Sequence, residues 1–293
     1  MPASLDKMGP FDTLARPLAV AIHDAGAANM LIAWAAAATN PPDRVWADGP
    51  AKALWTARFG ADAFVEGPEK LLDEAASLVS GTGWASDLEH TARIAASKRG
   101  VHSVAVIDHW VNYIPRFERD GRQQLPDSIW VGDSYALQIA KGTFPDIPVE
   151  VMPNIYLAEQ SSNAGKPPEN GDILFVAEPA RSFWGEDLPG EFQALDHFAS
   201  RRSTAGIPET VSMRLRPHPS DPPGKYDDWL SAHDWATLDR SSDMAAALQP
   251  ARWVAGMNSV ALVIALEAGR EVICALPPNA PPCTLPHEGI ARI

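Results

Sequence analysis

Short apolar runs of β-forming residues recur along the chain, and stretches of helix formers separate most of them. They read LAVAIH at 18–23, RVWAD at 44–48, AFVEG at 63–67, SLVSGT at 77–82, VHSVAVID at 101–108, SIWVGD at 128–133 and VEVMPN at 149–154. Strands that are apolar on both faces need cover on both faces, which is what the crossover helices of a parallel sheet provide. The repetition therefore predicts a doubly wound α/β unit over the first half of the chain.

The helices between the runs have recognisable ends. AANMLIAWAAAA after Gly26 is rich in strong helix formers, and Asn40-Pro41-Pro42 stops it. In SDLEHTARIAASKRG at 86–100, Ser86 is the expected N-cap, Glu89 stands at the capping-box position and Gly100 closes the helix. At 158–171 the sequence AEQSSNAGKPPENG loses its apolar content and gathers Ser, Asn, Gly and Pro, so it reads as a linker. Beyond it the alternation restarts with DILFVAE, a helix over 190–202, VSMRLRP, a helix near 226–231, ATLDRS, SDMAAALQ, WVAGM, SVALVIALEAG and EVICAL. The expected plan is a loose arm at 1–16, a Rossmann-like domain at 17–157, a linker at 158–171 and a second, smaller Rossmann-like domain at 172–293.

Composition agrees with two domains, since 293 residues exceed the usual single core and 46% hydrophobic with 21% charged residues is an ordinary globular content. A formal net charge of −13 argues against a nucleic-acid partner, whose affinity comes from clustered Lys and Arg, and would repel anionic membrane surfaces. The cysteines, Cys274 and Cys283, form no CxxC pair and indicate neither a disulfide framework nor a zinc site, which suits a reducing cytoplasm. MPASLDKMGPFDTLARP lacks the apolar core of a signal peptide, and apolar stretches such as 30–38 are too short to cross a bilayer. Membrane contact, if any, is expected to be peripheral.

The most informative segment is MRLRPHP at 213–219. An extended backbone puts Arg214, Arg216 and His218 on one face and Met213 and Leu215 on the other. Guanidinium groups inside a covered sheet need partners: either carboxylates such as Asp221 or Asp239, or an anion at the strand's carboxyl end. The prolines fix the backbone and hold His218 at the edge where open α/β sheets bind ligands. A second constellation, Trp253-Val254-Ala255-Gly256-Met257-Asn258-Ser259, runs directly into the helix VALVIALEAG. A strand, a glycine and an Asn-Ser cap aim backbone N–H groups and a helix dipole at whatever sits above, which is either a phosphate seat or only a helix cap. Ser241-Ser242-Asp243 reads as a cap first and a ligand contact second.

In the first half, His23-Asp24-Ala25-Gly26 ends the first strand, so His23 and Asp24 are expected at the ligand edge, Asp24 as a base or as a turn residue. Gly81-Thr82-Gly83-Trp84 and Asp108-His109-Trp110, followed by Asn112, Tyr113 and Arg116, mix polar groups with aromatics as a carbohydrate acceptor site does, although single aromatics also pack. Asp133-Ser134 is a further candidate edge, with capping as its simpler role. No P-loop, GxGxxG or GxSxG motif occurs, and Asp227-Asp228 is not a metal motif, so a metal-free site without a cofactor is expected.

The order of elements, the R-x-R-P-H-P strand and the G-x-N-S turn before a helix ending in A-G-R-E-V-I resemble the nucleotide-binding half of GT-B glycosyltransferases. The likeness is to the bacterial sialyltransferase and Kdo-transferase type, with a similar turn in CDP-glycerol polymer transferases. It implies two Rossmann-like domains facing across a cleft, a nucleotide-activated sugar as donor and a glycan or other hydroxyl acceptor in surface-polysaccharide assembly. By that resemblance His218 and Ser259 hold the leaving phosphate, with Gly256, Asn258, Ser241 and Ser242 beside them, and Arg214 and Arg216 neutralise charge or brace His218. Asp24 would be the base, with His23, Thr82, Asp108, His109 and Trp110 at the acceptor. The chain departs from the pattern at Ile264, where many nucleotide-sugar enzymes carry a ribose-binding glutamate five residues before the glycine matched to Gly269. That weakens UDP- or ADP-sugar use relative to a CMP- or CDP-linked donor. Two alternatives share the architecture: a UDP-sugar 2-epimerase-like enzyme, with Glu178, Asp87 and Glu89 as further acid-base candidates, and a non-catalytic binding module.

Overall fold

The computed structural model describes residues 9–84 and 86–293. The chain divides into two compact units, Met1–Tyr156 and Leu157–Ile293. Each is a Rossmann-like domain built on a six-stranded parallel sheet.

The first unit runs β1 (Leu18–Ile22), α1 (Ala25–Ala37), β2 (Arg44–Ala47), α2 (Gly49–Phe59), α3 (Gly67–Leu71), β3 (Ser77–Ser80), α4 (Leu88–Arg99) and β4 (His102–Ile107). A two-stranded antiparallel hairpin follows, β5 (Glu118–Arg119) with β6 (Arg122–Gln123), then β7 (Ser128–Val131), α5 (Ser134–Thr143) and β8 (Val149–Val151). The sheet order is β2-β1-β3-β4-β7-β8, so the winding direction reverses between β1 and β3. On one face Leu18, Val20 and Ile22 pack under α1 and α2, with Trp34 and Trp55 fully sheltered. On the other face Ala19 and Ala21 pack with Leu71, Leu78, Leu88, Ala92 and Ala96. β1 reads as an unbroken apolar run because both sets are buried.

The second unit runs α6 (Ile155–Ala164), β9 (Asp172–Val176), α7 (Gly190–Arg201), β10 (Met213–Arg216), α8 (Asp227–Ser231), β11 (Ala236–Leu238), α9 (Met244–Leu248), β12 (Ala251–Gly256), α10 (Val260–Glu267), β13 (Glu271–Cys274) and β14 (Ile290–Arg292). Its order, β11-β10-β9-β12-β13-β14, reverses between β9 and β12. Its main core joins Ile173, Phe175, Met213, Leu215, Trp253 and Ala255 of the sheet to Leu195 and Phe198 of α7. α10 needs no polar face: Ala261 through Ala265 are all buried.

Three expectations are corrected. The arm predicted at 1–16 is ordered where it is described: Pro10–Thr13 is a 3-10 turn that sinks Phe11 into the core, edge-on to Trp34 at 6.1 Å. Residues 1–8 lie outside the described residues. The segment read as a linker at 158–171 is helical as far as Ala164, because Arg270 supplies donors to the carbonyls of Ala164 and Gly165 that end α6. AFVEG at 63–67 forms only a bridge between Phe64 and Val45, since Gly67 already opens α3. At the end of the chain Ile290–Arg292 pairs in parallel with β13.

Candidate functional site

Parallel sheets bind ligands beyond the carboxyl ends of their strands, where the winding reverses. In the first unit that point lies after β1 and β3. Asp24 occupies the N-cap position of α1, yet its carboxylate caps nothing; Oδ1 bonds His23 Nδ1 at 2.7 Å. The loop after β3 gives this carboxylate room, because a Cβ on Gly83 would collide with Asp24 Oδ2. Asp108, at the end of β4, lies across the first turn of α1, where a Cβ on Gly26 would collide with its Oδ2. The positive end of the helix favours a carboxylate there. Asp108 is held by Arg116 Nη1 at 2.8 Å, and the same nitrogen donates to Thr82 Oγ1 at 3.0 Å.

Beneath this edge lies a second layer of charge. Glu89 is fully buried and accepts the backbone N–H groups of His23 at 3.0 Å and Gly83 at 2.5 Å, joining the ends of β1 and β3. Burial pushes its pKa up to about 7, against the opposing pull of Arg93 and the two N–H donors. Arg93, also buried, donates to Ser80 Oγ and the Gly81 carbonyl. Glu89 therefore does not close a capping box: its side chain turns inward, where two strand-end amides need an acceptor. Gly100 closes α4 as expected, in the left-handed conformation at φ 67°. Asp87 is a surface partner of Arg119.

Of the residues expected at this edge, His23, Asp24 and Asp108 stand together. Thr82 is buried and gives its hydroxyl proton to the Val106 carbonyl. Trp110 is buried, its indole N–H bonded to Asp133 Oδ2, and His109 Nδ1 accepts the Trp110 N–H. Thr82 and Trp110 thus brace the loops. Asp133 caps α5 by accepting the Ala136 N–H. Sequence reasoning named Arg116 only in passing and gave no role to Arg93; their partners are set by tertiary packing. The exposed ring of Trp84 lies under the Arg116 guanidinium at 5.1 Å.

In the second unit the reversal lies after β9 and β12. Gly256 is required by close packing, since a Cβ would stand 2.9 Å from the Val176 carbonyl. Asn258 N–H donates to Glu178 Oε1 at 2.9 Å, and Asn258 Oδ1 accepts from Thr284 N at 2.8 Å. Burial raises the pKa of Glu178, against that N–H bond. Ser259 caps α10 by accepting the Ala261 N–H at 3.2 Å. His218 Nδ1 bonds Ser220 Oγ at 2.7 Å, while the His218 backbone N–H is fixed by Asp221. Partial desolvation lowers the His218 pKa, as do the charges of Arg181 and Lys225 against the pull of Asp221. Lys225 is spent on Asp221 and Glu191. Arg181 is exposed, takes φ 53° in the β9–α7 loop and has no ion-pair partner among the described residues. It is a residue that sequence reasoning missed; its signal was a polar turn, AEPARSF, directly after a central strand.

The two arginines of β10 do not form this edge. Arg214 pairs with Asp172 at 2.6 Å and Asp239 at 2.6 Å and also donates to the Ala247 carbonyl; Arg216 pairs with Asp239 at 2.5 Å and donates to the Ser241 carbonyl. Both share one face of β10, as the alternation predicts, but carboxylates on β9 and just past β11 already satisfy them. Ser241 bonds Asp239, Ser242 bonds Asp243, and Asp243 caps α9, the capping role expected first for this turn. Among the described residues no cluster of three metal-ligating side chains occurs, and no helix is long and apolar enough to cross a membrane.

No family model matches the sequence, and no curated protein matches it. Solved structures do. UDP-GlcNAc 2-epimerase from Methanocaldococcus jannaschii superposes with a TM-score of 0.58 at 10% identity, over 88% of this chain and 83% of that one. A co-structure of S. aureus MnaA with UDP gives 0.58 at 11%, over 88% and 78%. UDP-GlcNAc 2-epimerase from Neisseria meningitidis bound to UDP-GlcNAc gives 0.52 at 10%, over 88% and 81%. At these identities the likeness establishes the fold, a GT-B-type pair of Rossmann-like domains. It lends nothing to the sialyltransferase or Kdo-transferase type, and the expectation of sugar transfer to a hydroxyl acceptor is corrected: the similar structures are 2-epimerases.

Proposed function

We propose that the protein binds a uridine-diphosphate sugar and inverts the configuration at C2 of the sugar by removing and replacing the C2 proton, with departure and return of the nucleotide. The observation that carries the reading is the carboxylate cluster at the first unit's switch point. Asp24 is released from helix capping and paired with His23, and Asp108 is set over the start of α1. A carboxylate coupled to an imidazole can take a proton from carbon and pass it on, the work of general acid-base catalysis. The solved 2-epimerases of the same fold support this choice of chemistry.

The nucleotide assignment rests on the second unit alone. There Arg181, His218 and the start of α10 gather cationic and N–H character after β9, β10 and β12, as a diphosphate requires. No cofactor enters the proposed reaction; Asp24, His23 and Asp108 are assigned its proton transfers.

The test is incubation with UDP-GlcNAc in D2O, followed by NMR of the sugar C2 position and chromatography of released UDP. Deuterium at C2 with formation of the epimer is the expected result, and Asp24→Asn lowers the rate about a hundredfold or more. Wild type that binds UDP but exchanges nothing at C2 returns the protein to the class of non-catalytic binding modules. Absence of UDP binding removes the nucleotide reading as well.

A further inference from the structure

The cysteines stand side by side next to the Asn258 turn. Cys274 ends β13 with its Sγ 3.3 Å from the Met257 carbonyl oxygen, and Cys283 Sγ lies 4.0 Å from the same oxygen, so the two thiols are neighbours and bear on each other's ionisation. Thr284, directly after Cys283, gives both its N–H and its hydroxyl to Asn258 Oδ1. Arg292 on β14 stands opposite Cys274 in the β13–β14 ladder, and its positive charge favours the Cys283 thiolate. Cys274 is buried and Cys283 only partly so.

We propose that Cys283 and Cys274 are a peroxide-sensitive thiol pair in which Cys283 is oxidised first, Cys274 resolves it, and the resulting disulfide pins segment 277–289 onto the turn that carries Asn258. The asymmetry of the pair assigns the roles. An oxidant reaches the partly exposed sulfur first, and reactive cysteines sit beside cations and hydrogen-bond donors that stabilise the thiolate. The Cys274 S–H, the Leu285 N–H and Arg292 all hold the Cys283 thiol below its ordinary pKa against the cost of burial. Donation to Cys283, followed by burial, pushes Cys274 the other way and keeps it a thiol.

The steps balance. The Cys283 thiolate attacks one oxygen of a hydroperoxide, an S–O bond forms as the O–O bond breaks, and the alkoxide or hydroxide leaving takes a proton from water. Cys274 then attacks the sulfenic sulfur; the S–S bond forms, and the displaced hydroxide leaves as water with the Cys274 proton. Two sulfurs lose two electrons and the peroxide gains them. A lone pair of thiols is too few for a metal centre, and among the described residues no third ligand completes one. The pair is independent of the nucleotide-sugar reading, because it is read from sulfur chemistry and not from turnover.

The experiment treats the reduced full chain with hydrogen peroxide. Titratable thiols fall from two to none, the intact mass drops by about 2 Da, and the product stays monomeric on a non-reducing gel. Cys274→Ser traps a sulfenic acid on Cys283 that dimedone labels, whereas Cys283→Ser leaves Cys274 unlabelled. In the reduced protein the rate of Cys283 alkylation rises with pH to a midpoint well below the ordinary value of about 8.5, and Arg292→Met moves that midpoint upward. Hydrogen exchange slows at 277–289 and at Asn258 after oxidation. Covalent dimers, stepwise oxygen addition without the loss of mass, or an ordinary alkylation midpoint would each overturn the assignment. A disulfide that leaves exchange at 277–289 unchanged overturns the clamp.

Discussion

At Glu89 the carboxylate accepts two backbone N–H bonds, which favour its charged form, yet loss of water outweighs them and the pKa rises to about 7. A folded pKa above the unfolded one means the native state holds the proton more tightly. The stability this contributes is complete below about 4.5 and is lost as pH rises towards 7, a span of the order of 3 kcal/mol. Urea denaturation should therefore show the gap between wild type and Glu89→Gln narrowing from pH 5 to pH 8; a constant gap would place the ionisation elsewhere. Asp239 presents the opposite balance. Its buried carboxylate is held below the ordinary range by Ser241, Arg216 and Arg214, which together overcome desolvation. Asp239→Ala leaves two half-buried guanidinium groups short of a partner, and a loss of about 3–5 kcal/mol is expected in the same assay. Binding of UDP by the variant, measured where it is still folded, should stay near wild type if Arg214 and Arg216 serve only the carboxylates and carbonyls that hold them.

Elements meet at glycines where the site is made. α1 starts so close to the end of β4 that Gly26 must lack a side chain for Asp108 to lie over the helix. Gly26→Ala is therefore expected to displace Asp108 and cut C2 exchange at least tenfold, while circular dichroism keeps its native shape; unchanged exchange would exclude Asp108 from the reaction. The sequence displayed these elements well, because period, caps and breakers are local: β1, α1, the Gly100 closure of α4 and the β12–α10 turn all stand where their residues put them. It displayed partners poorly. Arg214 is 42 residues from Asp172 and 25 from Asp239, and only the strand order brings them to one face. An arginine on a strand looks the same in sequence whether a carboxylate or a phosphate awaits it. Glu89 misled for a related reason: its spacing from Ser86 suits a cap, but the amides of His23 and Gly83 compete for it from elsewhere in the unit.

Across the whole molecule, each unit has its own core and its own switch point, and the alternation of runs made that division legible before any coordinates. The candidate site was legible only as a set of strand ends. His23, Asp24, Asp108, His218 and Asn258 stand at such ends, and Arg181 was hidden in a loop without periodicity. Ligand linkage tests the division. UDP at a hundredfold its dissociation constant should stabilise the native protein by about 2.7 kcal/mol, with hydrogen exchange slowing around β9, β12 and α10. Arg181→Met and His218→Ala should each weaken that protection. Slowing confined to β1 and β3 would move the nucleotide to the first unit.

Arg270 gives the second unit a shared fastening. Its guanidinium takes the closing carbonyls of α6 at Ala164 and Gly165, of α9 at Leu248 and of α10 at Ala268. The first of these lies 106 residues upstream. One guanidinium thus closes the ends of helices that lie far apart in the sequence. Removing it would leave carbonyls at several helix ends without their shared donor at once, so the cost falls on a whole layer of the domain and not on one element.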